Sequence, residues 1–145
     1  EEILKKCKES RIHTAVDTAG NVPWSCFERI LPYTDLWLYD LKTMDSQIHK
    51  MYTGQGNGQI LENFKKLLAC GANVWIRIPV IAGVNDSLEE MQAIKAFLER
   101  CGKPQRIELL PYHGLGEHKY SAMGESTPCF APPGEDRLQI LKEIF

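Results

Sequence analysis

The sequence predicts an α/β domain in which a parallel sheet of about four strands is flanked by helices. Short apolar runs alternate along the chain with stretches whose apolar residues recur at helical spacing, and this alternation is typical of right-handed βαβ units. The run 35–42 is mostly apolar, as expected of a strand buried in a parallel sheet. Polar residues follow several of the apolar runs, where folds of this class bind ligands.

The predicted elements follow one another without a repeat or a low-complexity segment. We expect helices over residues 1–9, 23–31, 45–53, 58–70, 87–101 and from about 135, and strands over 12–18, 35–41, 73–80 and 106–112. Ser87 and Glu90 form a capping-box pattern, Gly71 is a candidate helix stop, and residues 113–133 are expected to be a long loop. Four strands cannot close an eight-stranded barrel, so the sheet is open or is an arc of a barrel.

Composition bounds the class of protein. A chain of 145 residues with a net charge of −2 and no charge run fits one domain with no nucleic-acid or membrane partner, and no apolar run approaches the roughly 18 residues of a membrane span. The five cysteines are scattered and odd in number, which is typical of free thiols in a cytoplasmic protein. The chain starts without methionine and within a helical pattern, so we expect a fragment of a longer protein.

The candidate site consists of polar residues at successive strand ends. Because the carboxyl ends of parallel strands meet at one edge of the sheet, we expect a shared site there. Its candidate residues are Asp17, Thr18, Asp40, Lys42, Arg77 and His113.

Each candidate also has a purely structural interpretation. Asp17 could cap the turn that follows it, and Asp40 and Lys42 could form an ion pair with each other. Arg77 lies within a strand and needs a partner, for which Glu108 is the obvious candidate.

Other features are ambiguous in the same way. His113 could be a core histidine, and the glycine-rich segment 54–58 follows a helix, which is the wrong context for a phosphate loop, so we interpret it as a flexible connection. Gly114–Gly116 is a better candidate for close backbone approach to a ligand.

Four stretches taken together resemble one known family. They are residues 13–20 (HTAVDTAG), 38–42 (LYDLK), 74–83 (VWIRIPVIAG) and 109–116 (LLPYHGLG), the last continuing through 118–120 (HKY) and 122–124 (AMG). In this order they resemble the C-terminal portion of the pyruvate formate-lyase activating enzyme family, the radical S-adenosylmethionine activases of glycyl radical enzymes. The resemblance implies a partial (β/α)6 barrel, of which residues 1–145 would be a single domain supplying the last four strands.

The resemblance also implies roles for residues at the strand ends. Asp40, Leu41 and Lys42 would bind the ribose and amino-acid end of S-adenosylmethionine, with His113 beside the adenine and Arg77 lining the barrel nearby. The resemblance further implies that Asp17, Thr18 and Asp40, together with the Leu38 carbonyl, would bind a monovalent cation.

The chemistry implied by the family is reductive cleavage of S-adenosylmethionine by a 4Fe–4S cluster, after which a 5′-deoxyadenosyl radical removes hydrogen from a glycine of a partner such as pyruvate formate-lyase. Flavodoxin is a reductant of the kind implied. The family's CxxxCxxC motif and its glycine-glycine-glutamate segment are absent from this sequence. We therefore expect the cluster-binding part to lie outside this chain, and the chain by itself to be inactive.

Two other functions remain open from the residues alone. Lys42 could be a Schiff-base nucleophile of an aldolase-like enzyme, although Asp40 nearby would keep the lysine protonated. The chain could also be a non-catalytic docking module. In either case the strand at 12–18 is expected at a sheet edge, where it could promote self-association.

Overall fold

The computed structural model describes residues 1–124, 126 and 130–145, and its centre is a four-stranded parallel sheet. The strands lie in the order β1-β2-β3-β4, with the bounds β1 Ala15–Thr18, β2 Leu36–Asp40, β3 Val74–Val80 and β4 Arg106–Pro111. All three strand pairs are parallel. The sequence-based prediction of a parallel α/β sheet of about four strands is thereby confirmed.

The helices occur where the helical spacing predicts them, with one addition. Their bounds are α1 Glu2–Glu9, α2 Trp24–Ile30, α3 Ser46–Thr53, α4 Gly58–Ala69, α5 Leu88–Cys101, α6 Glu117–Ala122 and α7 Glu135–Lys142. Two 3-10 turns span Leu31–Tyr33 and Gly114–Gly116. The prediction of a loop throughout 113–133 is wrong, because α6 begins there directly after the second turn. Cys129 lies outside the described residues.

The core lies on one face of the sheet. Alternate residues of β2 and β3 are buried, since side chains of a strand point to opposite faces in turn. They pack against apolar side chains from α2, α4, α5 and α7; the buried set includes Phe27, Trp37, Tyr39, Phe64, Leu67, Ile76, Ile78, Met91, Ile94 and Leu141. The other residues of the same strands are partly exposed. The sheet therefore has a covered face and an open face.

The first strand is shorter than the sequence predicts. Ile12 is 57% exposed and precedes the strand, while the Thr14 hydroxyl donates to the Tyr33 carbonyl (2.7 Å) and the Thr14 backbone N–H to the Asp35 carboxylate (2.9 Å). These bonds attach residues before Ala15 to the turn ahead of β2. Within the described sheet β1 pairs with β2 alone, so its predicted position at an edge is confirmed.

The capping box at α5 forms only in part. The Ser87 hydroxyl accepts the Glu90 backbone N–H (3.0 Å), as the pattern predicts. The Glu90 carboxylate does not complete the box, because it accepts the Met44 backbone N–H at 2.5 Å. Among the described helices, none is long and apolar enough to cross a membrane.

Candidate functional site

Asp40 and Lys42 lie where the sequence predicts, at the carboxyl end of β2 on the open face of the sheet. The alternation of strand side chains directs both residues to the same side. The Lys42 ammonium donates to Asp40 Oδ2 at 3.0 Å, and the two side chains are 35% and 18% exposed. The structural interpretation of these two residues, an ion pair with each other, is therefore confirmed.

Arg77 on β3 links the Asp40–Lys42 pair to Asp17 on β1. β3 places Arg77 opposite Asp40, and its guanidinium donates to Asp40 Oδ1 from Nε (3.1 Å) and from Nη2 (2.8 Å). Nη2 also contacts Asp17 Oδ1 on β1. Burial acts to lower the pKa of Arg77, but the hydrogen bond that Arg77 donates to Asp17 and the charge of Asp40 raise it overall, so the guanidinium stays charged.

We call Asp17, Arg77, Asp40 and Lys42 the charged network. It spans three strands and has equal numbers of positive and negative charges, which are linked in the order in which they are named. Because Asp17 is 62% exposed while Arg77 and Asp40 are each below 20%, the network is partly shielded from water at its centre and open at one end.

Two of the structural interpretations of the network are wrong. Glu108 does not pair with Arg77; it pairs with Arg106 on its own strand at 2.5 Å, two residues away on the same face. The turn after β1 is not capped by Asp17, because the Thr18 hydroxyl accepts the Gly20 backbone N–H at 3.0 Å. Arg77 thus has two carboxylate partners from β1 and β2 rather than one from β4.

Thr18 and Leu41 have their side chains on the covered side of the sheet. Thr18 lies opposite Tyr39 in the register, and Tyr39 is fully buried. Leu41 is 2% exposed, and its backbone N–H donates to the Arg77 carbonyl at 2.9 Å. Any contact from Leu41 to a ligand on the open face would therefore be made by its backbone carbonyl.

His113 lies at the same edge of the sheet but apart from the charged network. It precedes the turn Gly114–Gly116 and is exposed, so it is not a core histidine. β3 lies between its strand and β2, so His113 and Asp40 are about 10 Å apart across the sheet, with a further offset along the strands because Asp40 is level with Glu108. Across the described residues, no hydrogen bond or ion pair joins His113 to the network. A ligand touching both would have to extend across the sheet.

Other clusters and grooves do not coincide with the network. In the part of the chain that the structure describes, no group of three His, Cys, Asp or Glu side chains could hold a metal ion. A groove of about 550 Å³ runs along β4 and is lined by Lys103, Arg106, Lys142 and Phe145 among others. The charged network lies instead on the open face.

Three polar side chains near the network have a role that the sequence pattern does not reveal. Asn57 donates from Nδ2 to the carbonyls of Thr43 (3.0 Å) and Met44 (2.9 Å), and Asn85 donates to the Lys42 carbonyl at 2.6 Å. With Glu90 on the Met44 N–H, they bind the segment directly after β2. The interpretation of residues 54–58 as a flexible connection is therefore wrong at Asn57, which is 4% exposed.

Curated relatives of the chain are activating enzymes. The chain is 39% identical to the trans-4-hydroxy-L-proline dehydratase activating enzyme of Clostridioides difficile over 99% of its own length and 48% of the relative. It is 37% identical to the pyruvate formate-lyase 1-activating enzyme of Escherichia coli strain K12, over 98% of the chain and 59% of that protein. The chain thus spans about half the length of these relatives. No protein-family model matches it.

Solved structures share the fold. The chain is 18% identical to Streptococcus suis SuiB bound to S-adenosylmethionine, with a TM-score of 0.76 over 98% of this chain and 31% of SuiB; at that identity the match shows the fold alone. A crystallised domain of the pyruvate-formate lyase-activating enzyme from Bacteroides vulgatus superposes with a TM-score of 0.83 at 30% identity, covering 99% of the chain and 81% of that domain. On this match and the curated relatives, the chain belongs to the pyruvate formate-lyase activating enzyme family.

Proposed function

We propose that this chain is the S-adenosylmethionine-binding part of an activating enzyme that generates a glycyl radical on a partner enzyme. The single observation that carries the proposal is the charged network at the end of β2, in a chain whose curated relatives are activating enzymes. In this proposal residues 1–145 are one domain that supplies the last four strands of a partial barrel. A cluster-binding part would lie outside this chain.

The charges of the network suit a zwitterionic ligand. The amino-acid end of S-adenosylmethionine carries an ammonium and a carboxylate, which need an acidic and a basic partner respectively. Asp40 and Lys42 offer this combination within 3.0 Å of each other, and Arg77 adds a second cation beside Asp40. Binding would replace ion pairs within the protein by ion pairs with the ligand. The desolvation cost of the protein's charged groups would therefore change little.

The rest of the ligand would extend from Lys42 across β3 toward His113. Asp40 would contact the ribose end, the Leu41 carbonyl would face the ligand, and the exposed imidazole would lie beside the adenine. Support for this direction comes from the parallel order of the strands, which brings the ends of β2, β3 and β4 to one edge.

A monovalent cation between Asp17 and Asp40, with Thr18 and the Leu38 carbonyl as further ligands, is a second part of the proposal. Arg77 Nη2 contacts both carboxylates, so its guanidinium would have to move aside for the ion. Thr18 would contribute through its carbonyl, because its side chain lies on the covered side of the sheet, where the hydroxyl accepts the Gly20 N–H.

The four cysteines that the structure describes do not fit a 4Fe–4S cluster. Cys7, Cys26 and Cys101 belong to three different helices and Cys70 follows a fourth, whereas the family motif places three cysteines within eight residues. When bound, S-adenosylmethionine and a cluster supply the hydrogen-removing chemistry of the family. The residues of the charged network would bind and orient S-adenosylmethionine. The partner would be pyruvate formate-lyase or a relative, and the reductant would be of the flavodoxin kind.

The aldolase-like alternative is disfavoured by the ion pair of Lys42. A Schiff-base lysine needs a free amine to attack a carbonyl, whereas the Lys42 ammonium is held in an ion pair with Asp40 at 3.0 Å. Borohydride trapping with a carbonyl substrate is expected to yield no adduct on Lys42.

A titration with two related ligands tests the proposed function. S-adenosylmethionine and 5′-methylthioadenosine share the adenosyl group, but only the former carries the amino-acid end. Lys42→Gln is expected to weaken S-adenosylmethionine binding about 10- to 100-fold, since a charged hydrogen bond contributes about 1.5–3 kcal/mol, and to leave 5′-methylthioadenosine binding unchanged. Isothermal titration calorimetry measures both.

The matched control is Lys50→Gln, which removes one charge from an exposed lysine in the last turn of α3. It should bind both ligands as the wild type does. If wild-type chain binds neither ligand, or if Lys42→Gln binds S-adenosylmethionine with unchanged affinity, the proposal is wrong. The first of these outcomes would favour the non-catalytic docking module.

A further inference from the structure

The segment that carries Lys42 is held from three directions. Its backbone carbonyls at residues 42, 43 and 44 accept hydrogen bonds from Asn85 and Asn57 at 2.6–3.0 Å. The Met44 N–H donates to Glu90 at 2.5 Å. These bonds come from the loop after β3, from the start of α4 and from the first turn of α5, so three separate elements meet on three consecutive residues.

Asn57 and Asn85 are buried, and the Nδ2 amino group of each donates to two backbone carbonyls. Asn57 is 4% exposed and Asn85 is 3% exposed. A buried amide costs free energy unless it is hydrogen-bonded, and here both donors of each side chain are directed at backbone carbonyls. Asn85 Oδ1 in addition accepts the Ile81 backbone N–H at 2.8 Å.

Asn85 also connects the ends of the two central strands. The same Nδ2 that donates to the Lys42 carbonyl donates to the Pro79 carbonyl at 2.7 Å. Pro79 follows Arg77 by two residues on β3, and Leu41 donates its N–H to the Arg77 carbonyl at 2.9 Å. The backbone positions from which Arg77 and Lys42 extend are therefore fixed relative to each other.

We infer that Asn57, Asn85 and Glu90 are positioning residues that hold the backbone after β2 so that Lys42 faces the ligand in a preformed geometry. We call these three residues the clamp. A lysine side chain is flexible, and ordering its backbone in advance reduces the entropy lost when a ligand carboxylate binds. The inference rests on the proposed function for the identity of the ligand, but the fixing of the backbone can be measured without one.

The first test is backbone amide hydrogen exchange of the full chain by NMR. Asn85→Asp keeps the oxygen that accepts the Ile81 N–H and replaces the donor with an oxygen facing two carbonyls; Asn57→Asp makes the same change at the other site. Loss of two donors to buried carbonyls predicts about 10- to 100-fold faster exchange at the Leu41 and Met44 amides.

The chain offers a matched control in Asn63. It is 2% exposed, and its Nδ2 donates to the carbonyls of Gly20 and Val22 at 2.8 Å each. Asn63→Asp therefore removes two hydrogen bonds of the same kind, but from the loop that contains Gly20 and Val22. It should accelerate exchange at Gly20 and leave the Leu41 and Met44 amides as in the wild type.

Glu90 provides a conservative rescue. Glu90→Gln retains an oxygen that can accept the Met44 N–H, whereas Glu90→Ala does not. Protection of the Met44 amide is expected to survive in the former and to fall about tenfold in the latter. Equal protection in both variants would contradict the role of Glu90.

The second test measures selectivity between the two ligands. In Asn57→Asp and Asn85→Asp, binding of S-adenosylmethionine should weaken about fivefold or more relative to binding of 5′-methylthioadenosine, because the Lys42 side chain must then be ordered on binding. Asn63→Asp should leave the ratio of the two dissociation constants unchanged. If Asn57→Asp and Asn85→Asp lower overall stability but keep both the wild-type exchange at Leu41 and Met44 and the wild-type ratio, the clamp is only structural and the inference is wrong.

The two proposals fail in different ways. A wild-type chain that binds neither ligand refutes the proposed function, and the clamp is then judged on amide exchange alone. The clamp is refuted if the wild type selects between the ligands as expected and the clamp variants keep wild-type amide exchange and wild-type selectivity. The proposed function would then still hold.

Discussion

Gly20→Ala should destabilise the chain strongly, because two independent effects act at this position. Gly20 has φ of +75°, where a residue with a Cβ costs about 1–2 kcal/mol. A Cβ at Gly20 would also overlap the Tyr39 hydroxyl group. That hydroxyl is fully buried and donates to the Ile60 carbonyl at 2.7 Å. Burial raises the pKa of Tyr39, so the hydroxyl stays protonated and keeps this bond.

The magnitude follows from adding the two effects. Displacing Tyr39 would break its hydrogen bond and leave a buried carbonyl unpaired, which costs about 1–3 kcal/mol. Fitting extra atoms into a packed core costs about 1–3 kcal/mol more. With the backbone term, Gly20→Ala should lower the free energy of unfolding by about 3–8 kcal/mol.

Gly71→Ala is the control that isolates the steric effect. Gly71 has nearly the same φ, +71°, and nothing lies within 4 Å of the position where its Cβ would be. It should cost only the backbone term, about 1–2 kcal/mol. Urea denaturation with the linear extrapolation gives both values. If the two variants lose the same free energy within about 0.5 kcal/mol, the close approach of Tyr39 to Gly20 contributes nothing and the reasoning is refuted.

Two further predictions concern ionisable groups. Asp35 accepts hydrogen bonds from Lys8 (2.6 Å) and from the Thr14 N–H (2.9 Å), and these bonds lower its pKa from 3.8 to about 2. Because the pKa is lower in the folded state, the contribution of Asp35 to stability is present above about pH 4 and is lost as the pH falls toward 2. Thermal unfolding from pH 2 to 5 should show this loss in the wild type and not in Asp35→Asn, and parallel curves would contradict it. Burial raises the pKa of the Cys101 thiol, so iodoacetamide at pH 8 should alkylate exposed Cys26 first; mass spectrometry that finds Cys101 modified first would contradict this order.

The sequence predicts well what depends on local periodicity. The alternation of apolar runs and helical stretches is sufficient for four parallel strands, and the spacing of Asp40 and Lys42 is sufficient to place them on one face. Side-chain direction in a strand repeats every two residues, so these features need no knowledge of distant residues. The boundary at Ile12 was missed because Thr14 bonds to Asp35, a contact that spacing does not reveal.

The partner of Arg77 could not be predicted in the same way. The register places both Asp40 and Glu108 opposite it, and the guanidinium can lean toward either. Only the three-dimensional arrangement shows that Arg106 engages Glu108 while Asp17 reaches Arg77 from β1. The choice among equally charged neighbours depends on side-chain direction, which sequence distance does not encode.

The sequence by itself thus determined the parallel fold, the family resemblance and the edge of the sheet where charged residues gather, because each depends on short repeating patterns. Only the tertiary structure decided which charges pair and what holds the segment after β2. The buried amides of Asn57 and Asn85 look in the sequence like ordinary loop residues. Their importance arises from carbonyls 13, 14 and 43 residues away, which folding alone brings within hydrogen-bonding distance.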